Sequence, residues 1–447
     1  MNFLMIFLDT LRFDHLGCYG YTLDTSPNID RIGDESVLFE RAYPTDVPTQ
    51  PSFTSTFTGQ PGITSGIVSH ADHEWLDEES PWLPSIMERN SYATAAVSTL
   101  FNMKEYFAKG FEYYMNAAAG TRSLTQRVTA DDINSYAIPW IESHADEDFF
   151  LFVHYWDIHE YKPGKDFDRM FYDGDECDPD NESLSEATES GVWPFLKRKI
   201  DTIGKGVMDA EYIRAQYDAA IRYVDDRVNE LLDAVWEKGA LNETLVVITA
   251  DHGESLGEHS LYFDHAGVYE PTIHVPLLIR WSEASIRRSG SFVQNIDLAP
   301  TVLDLAGIDI PDEIEGESLI PLMRGDIDRV RDVIYTNQGA WQAKRAMVTD
   351  DWKYIRCIDY GFWPCPDEEL YEISTDPGEL NELSSQQPEI LDEYALRLRR
   401  WEEEQLGRRA DPLVVAADRG LPPYKWVYQL VSKKRLSYPD WRMQMGG

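Results

Sequence analysis

The sequence predicts an α/β fold: a mostly parallel sheet flanked by helices, with a smaller α+β part behind it. Three observations carry that prediction. Continuous apolar runs at 3–8, 149–153 and 245–249 read as strands buried on both faces. From the first residue to about Gly325 the chain alternates strand and helix signals, the pattern of βαβ units. Each apolar run then empties into acid or histidine: Asp9 with Asp14, His154 with Asp157 and His159, and Asp251-His252-Gly253-Glu254. Parallel strands sharing an end place those side chains at the carboxyl edge of one sheet, where such folds build their sites.

Taken in order, the strand at 3–8 is followed by a segment, 43–52, that reads as a loop stopping at Thr49. It enters a helix with Pro51 in the first turn, where proline fits best. A hydroxyl there sits over unpaired N–H groups and the positive end of a helix, which suits an anion or a developing alkoxide. By itself the pattern is equally an ordinary threonine N-cap. Residues 84–90 read as a helix and 93–97 as a strand. The segment 164–205, rich in Asp, Glu, Gly and Ser, has no strong periodicity and reads as a long insertion, a natural lid. Residues 209–238 form a long amphipathic helix with Ile213, Tyr217, Ala220, Val224, Val228, Leu231 and Val235 on its core face. Short antiparallel strands are expected at 333–335, 345–348 and 352–357, and a terminal helix at 388–405. The tail from Ala410 concentrates Lys425, Lys433, Lys434 and Arg435 among aromatics.

Size and charge narrow the function. A chain of 447 residues exceeds what one hydrophobic core usually supports, so one large and one smaller unit are expected. Lys plus Arg number 40 against 79 Asp plus Glu, a formal charge of −39, with only 13 Lys beside 27 Arg. An acidic, lysine-poor surface is the pattern of proteins that work in concentrated salt, where self-repulsion is screened. It argues against nucleic acid or an anionic membrane surface as partner. No run approaches the roughly 18 apolar residues of a membrane helix, and no basic segment followed by an apolar stretch precedes Phe3. The expectation is a cytoplasmic protein with reduced cysteines. Cys18 reads as a packing residue, and pairing of Cys357 with Cys365 across the hairpin at 359–364 stays open.

The motifs resemble a family. Asp9-Thr10-Leu11-Arg12, Asp14-His15-Leu16-Gly17, Ser26-Pro27-Asn28, Ala42-Tyr43-Pro44, Thr58-Gly59 and Asp251-His252-Gly253-Glu254 look like sulfatase segments, in order. Tyr269-Glu270, His274-Val275-Pro276, Asn295-Ile296-Asp297, Glu369-Leu370-Tyr371 and Asp376-Pro377 extend the likeness to about Leu383. The resemblance implies the alkaline phosphatase superfamily fold, a large mixed, mostly parallel sheet. It also implies a catalytic domain over 1–326 that contains the insertion, a small C-terminal sheet and helix over 327–409, and a tail, 410–447, of unknown role.

It implies site residues too. Asp9, Asp251, His252 and the Thr49 oxygen would hold one divalent metal ion. Thr10 replaces the second acid or amide usual in sulfatases, and His252 a frequent asparagine, which moves the expectation from Ca2+ toward Mn2+ or Zn2+, with Mg2+ also open. His159, in a segment resembling D-P-H-x-P-Y, is the candidate acid for the leaving oxygen. His265, in the slot of the family's lysine, would bind a non-bridging oxygen or activate water. Arg12, Asp14, Thr10 and Ser52 would support the site. His70, His73, His154 and His259 match no motif and read as structural.

Departures from the family redirect the chemistry. Where sulfatases carry C/S-x-P-S-R, this chain has Thr49-Gln50-Pro51-Ser52-Phe53, so formylglycine is not expected and the arginine is gone. The family's Gly-Lys-Trp-His segment reads Ser98-Thr99-Leu100-Phe101. A formylglycine enzyme frees sulfate by breaking a carbon–oxygen bond; a sulfated threonine lacks that exit, whereas a phosphorylated threonine is cleared by water attacking phosphorus. The expectation is therefore a hydrolase, or transferase, acting on phosphate diesters, monoesters or phosphonates through unmodified Thr49. A sulfuric ester hydrolase and a non-catalytic ligand-binding relative are the alternatives. The partner would be a small anionic ester, and a homo-oligomer is left open.

Overall fold

The computed structural model describes residues 1–70, 74–118, 128–190 and 193–422. The basic cluster from Lys425 to Arg435, and His73, lie outside the described residues. Strands in chain order are β1 (Asn2–Leu8), β2 (Val37–Tyr43), β3 (Asp46–Val47), β4 (Ala93–Val97) and β5 (Tyr113–Met115). They continue as β6 (Phe149–Tyr155), β7 (Thr244–Thr249), β8 (Ser255–Leu256), β9 (Tyr262–Asp264) and β10 (Val275–Arg280). The last are β11 (Arg288–Gln294), β12 (Ile334–Gly339), β13 (Ala343–Val348), β14 (Lys353–Asp359) and β15 (Glu368–Tyr371).

Among the described residues the main sheet has eight strands in the order β11-β2-β10-β7-β1-β6-β4-β5. All its pairings are parallel except those of β10, which runs against β2 and β7. The three apolar runs are its centre: β1 lies between β7 and β6, with Phe7 opposite both His154 and Thr249. Every residue of β1, β6 and β7 is buried, as expected of parallel strands covered on both faces.

Helix Ala210–Glu237 begins at Asp209, whose side chain accepts from the Glu211 amide at 2.9 Å. Its predicted stripe is buried along its whole length. From the middle of this helix Asp225 accepts from the Ile29 amide at 2.7 Å, satisfying the first turn of helix Pro27–Glu35. Helix Thr49–Thr58 is buried at every residue.

The second sheet runs β15-β14-β13-β12-β3. Its predicted strands are present, and it gains β3, a short strand from the N-terminal part of the chain paired parallel with β12. The Asn337 amide donates to Thr45 O at 2.9 Å, and Asn337 Nδ2 donates to Asp46 Oδ1 at 2.9 Å. The C-terminal sheet therefore grips the chain just before Thr49.

Two expectations are corrected. The stretch 164–205 is not irregular throughout: it carries helices Ser185–Glu189 and Trp193–Ile203. In the second of these Trp193, Leu196, Ile200 and Ile203 follow helical spacing, a signal masked by Asp, Glu, Gly and Ser upstream. Helix Pro388–Leu406 is not terminal either, because Pro412–Arg419 follows it. Leu413, Ala416 and Ala417 of that last helix pack with Val68 and Ala343, and its N-cap Asp411 pairs with the buried Arg345. Among the described residues no helix is long and apolar enough to cross a membrane.

Candidate active site

The carboxyl ends of β1 and β7 place Asp9 and Asp251 side by side. The Asp9 amide donates to Tyr155 O at 3.0 Å, so Asp9 continues the edge of the sheet toward β6. Thr10 then turns left-handed, at φ 62°, a conformation that is costly for a β-branched residue and that clusters at functional sites. The turn aims the Thr10 amide at Asp251 Oδ1, 3.3 Å away. After β7, Gly253 passes so close to Pro271 that an added Cβ would lie 2.1 Å from its carbonyl oxygen. Only glycine fits there.

Thr49 is the first residue of its helix, and Pro48, not Thr49, is at the N-cap. Instead Thr49 Oγ1 lies 3.2 Å from His252 Nε2. This geometry argues against the simple N-cap reading. The helix is held in place by Ser52, whose hydroxyl donates to Asp251 O at 2.7 Å, and by Asn295, whose amide donates to Ser52 O at 2.9 Å. His252 Nδ1 faces Gly253 O at 2.9 Å, which assigns the proton to Nδ1 and leaves an Nε2 lone pair toward Thr49. Burial holds His252 down to about 4, so the ring is neutral and a competent ligand.

Ligand atoms of Asp9, Asp251 and His252 all lie within 4.8 Å of one another, and all three residues are buried. Among the described residues Asp9 Oδ1, Asp251 Oδ2 and Thr10 Oγ1 have no hydrogen-bond partner. Burial first, then the charges of Asp251 and Glu254, push the Asp9 carboxyl well above its usual range. Orphaned oxygens on crowded buried carboxylates fit a divalent cation, whose charge would relieve that repulsion. Carboxylates with a single imidazole and a hydroxyl suit Mn2+, Mg2+, Ca2+ or Zn2+.

His265 and His159 stand at the open side of this group. The His265 ring is 4.4 Å from that of His252 and 5.9 Å from that of His159, centroid to centroid. Burial alone would lower His265, but Asp264 and Glu254 outweigh it and raise it above the ordinary histidine value. Those two carboxylates thus favour the protonated form of the His265 ring. His159 rests edge-on to Trp156, 5.5 Å away, with Nδ1 3.8 Å from Glu160. Arg12 braces the loop, donating to Asp14 Oδ2 at 2.8 Å and to Glu258 Oε1 at 2.7 Å.

Three residues near the site, His154, His70 and Lys199, match no motif in the sequence. His154 Nε2 donates to Asp9 Oδ2 at 3.1 Å, and its Nδ1 lies 3.4 Å from Ser98 Oγ. Burial pushes this ring down to about 3, so it is a neutral donor that orients a candidate metal ligand. Phe53 packs edge-on to it, with ring centroids 4.7 Å apart. His70 is lowered well below the ordinary value by burial and by the charges of His265, His252 and His159, which places it beside the same cluster. Lys199, from helix Trp193–Ile203, donates to Glu254 Oε1 at 2.9 Å.

Known proteins resemble this chain over most of its length. The family described as "Sulfatase" matches residues 1–308, and "N-sulphoglucosamine sulphohydrolase, C-terminal" matches 257–404. An N-acetylglucosamine-6-O-sulfatase of Bacteroides thetaiotaomicron is 23% identical over 468 residues, covering 86% of this chain and 82% of the relative. Arylsulfatase K of Xenopus laevis is 26% identical, covering 83% and 77%. The fold is similar to that of a solved 2-O GAG sulfatase, with TM-score 0.73, 22% identity and coverage of 90% and 92%. It is equally similar to the phosphonate monoester hydrolase of Agrobacterium radiobacter, with TM-score 0.72, 20% identity and coverage of 91% and 96%.

Proposed function

This chain belongs to the sulfatase family, and we propose that it hydrolyses phosphate diesters, phosphate monoesters or phosphonates with unmodified Thr49 as nucleophile. The observation that carries the reading is the Thr49 hydroxyl, 3.2 Å from His252 Nε2 and seated over a helix start beside the Asp9–Asp251–His252 group. A divalent ion held there, with Mn2+ or Zn2+ favoured, would supply charge neutralisation and acidify the threonine hydroxyl.

The chain's own residues account for the rest. Thr49, its hydroxyl proton released to solvent water, attacks phosphorus through Oγ and the bond to the leaving oxygen breaks. His159, half-buried at the open side, gives its proton to that oxygen. His265 Nδ1 faces the carboxylates of Asp264, at 3.3 Å, and Glu254, at 3.6 Å, which leaves Nε2 for a non-bridging oxygen of the transferring group. Water then attacks the phosphorylated threonine and restores the hydroxyl. An acceptor alcohol in place of water would make the same chain a transferase. Phosphoryl transfer is mostly positioning and electrostatics, so the loss of the family's arginine at Phe53 is compatible with turnover. The solved phosphonate monoester hydrolases support this substrate class. The second reading is sulfuric ester hydrolysis, favoured by the sulfatases among the relatives; it needs another route for releasing sulfate from threonine.

The test is turnover of p-nitrophenyl sulfate, p-nitrophenyl phosphate, p-nitrophenyl phenylphosphonate and bis-p-nitrophenyl phosphate, in high salt with Mn2+. Diester or phosphonate cleavage that falls by about 10³ or more in Thr49→Ala is the expected result. Sulfate cleavage as the main activity would overturn it in favour of the second reading. Activity unchanged in Thr49→Ala would remove Thr49 as nucleophile.

A further inference from the structure

Helix Trp193–Ile203 brings a cation to the candidate site from the insertion. Leu196 and Ile200 are buried beneath it, and Phe195 packs on Trp341 with ring centroids 4.9 Å apart. Lys199 extends from its inner side. Its ammonium donates to Glu254 Oε1 at 2.9 Å and to the Phe263 carbonyl, and lies 5.2 Å from the Tyr161 ring centroid. The Tyr161 hydroxyl donates to the same Glu254 oxygen at 2.8 Å. Tyr161 and Phe263 are both left-handed, at φ 53° and 54°, a rare conformation for aromatic residues that persists only where the surroundings impose it. Both strained residues put a polar group on the Lys199–Glu254 pair.

The pair leads inward. Among the described residues Glu254 Oε2 has no hydrogen-bond partner, and it lies 3.6 Å from His265 Nδ1. The His265 ring lies tilted 4.4 Å from that of His252, whose Nε2 is 3.2 Å from Thr49 Oγ1. Lys199 thus reaches the threonine through Glu254, His265 and His252 in series. It also offsets a buried carboxylate that would otherwise add to Asp9 and Asp251 and repel an anion.

We propose that Lys199 is a positioning residue: docking of its helix holds Glu254 against His265 and cancels its charge, which readies the site for an anionic ester. The proposal rests on the reading of the Thr49 centre as an anion site. It makes the insertion part of that site even though its lysine touches no reacting atom.

The test compares full-length, Mn2+-loaded Lys199→Met, Lys199→Arg, Glu254→Gln and the Lys199→Met/Glu254→Gln double variant. Readouts are kcat and KM on the diester and phosphonate, inorganic phosphate affinity by calorimetry, and the thermal midpoint. Lys199→Met is expected to lose about ten- to a hundredfold in kcat/KM and in phosphate affinity, and Lys199→Arg to keep most of both. The double variant should bind phosphate better than Lys199→Met, because the uncompensated carboxylate is gone. A purely structural lysine would move the thermal midpoint without that recovery. Phe195→Ala, which loosens the helix and leaves Lys199 in place, should repeat the phosphate loss without adding to it, and serves if Lys199→Met does not fold. Wild-type turnover with unchanged Lys199→Met constants overturns this proposal alone. Phosphate binding sensitive to Lys199 in a protein that cleaves no ester supports it and overturns the hydrolase reading. Neither turnover nor phosphate binding overturns both.

Discussion

Replacing His154 by alanine tests whether the Asp9 group holds a metal and whether a buried neutral histidine sets its grip. In the native structure His154 Nε2 donates to Asp9 Oδ2 at 3.1 Å, and both side chains are fully inaccessible. Without that donor Asp9 Oδ2 would be left bare among carboxylates, a penalty of about 1–3 kcal/mol for a buried unsatisfied group. Orienting partners of metal ligands typically account for about 10–100-fold in affinity, which is about 1.4–2.7 kcal/mol and falls in the same range. The assay is calorimetric titration of Mn2+ into chelator-stripped protein in high salt, with thermal unfolding run in parallel. Metal at a hundred times the wild-type dissociation constant should stabilise the native protein by about 2.7 kcal/mol, and a tenfold weaker variant by about 1.4 kcal/mol. The alanine also opens space beside Phe53 and Trp156, each ring centroid 4.7 Å from the His154 ring. The metal-free variant is therefore its own reference. His154→Gln, which restores an N–H of similar reach, should fall between the two. Equal affinity in wild type and His154→Ala would refute the orienting role, and unchanged affinity in Asp9→Asn would refute the site itself.

Other outcomes follow from burial and charge. Asp157 is fully buried and raised to about 7, chiefly by desolvation. Its native carboxyl holds a proton that the unfolded one has released above about pH 4, so stability falls as pH rises from about 4 to 7. The ceiling on that loss is about 4 kcal/mol, and Asp157→Asn should flatten this limb of a thermal-midpoint profile; an unchanged profile would contradict the assignment. The charge of −39 predicts a thermal midpoint that climbs between about 0.1 M and 2 M KCl, as the screening length drops below about 3 Å; a falling midpoint would contradict salt adaptation. Cys357 and Cys365 Sγ atoms sit 3.5 Å apart as free thiols, with Cys365 lowered to about 7 by the hydrogen bond it shares with Cys357 and by Lys344. Diamide should consume both thiols together in a thiol count, and Cys365→Ser should protect Cys357; independent loss of the two would show that they do not pair.

Much of the centre was legible in the chain because its signals are local. A buried strand announces itself by a continuous apolar run, and the residue after the run must lie at the sheet's edge. That is how Asp9 and Asp251 come together, and the helix-start chemistry at Thr49 is equally short-range. The amphipathic stripe of helix Ala210–Glu237 was readable for the same reason. What tertiary structure decided were the groups whose roles depend on distant partners. His154 differs from any core histidine only by facing Asp9 across 145 positions. Asp46 joins Thr49's approach to the C-terminal sheet through Asn337, 291 positions away. Lys199 lies in a segment with weak periodicity, and its meaning appears only when the helix packs Phe195 on Trp341 and lays the ammonium against Glu254. Periodicity specifies which face of an element is buried; it does not specify what a polar group meets there, because that is set by which elements pack together.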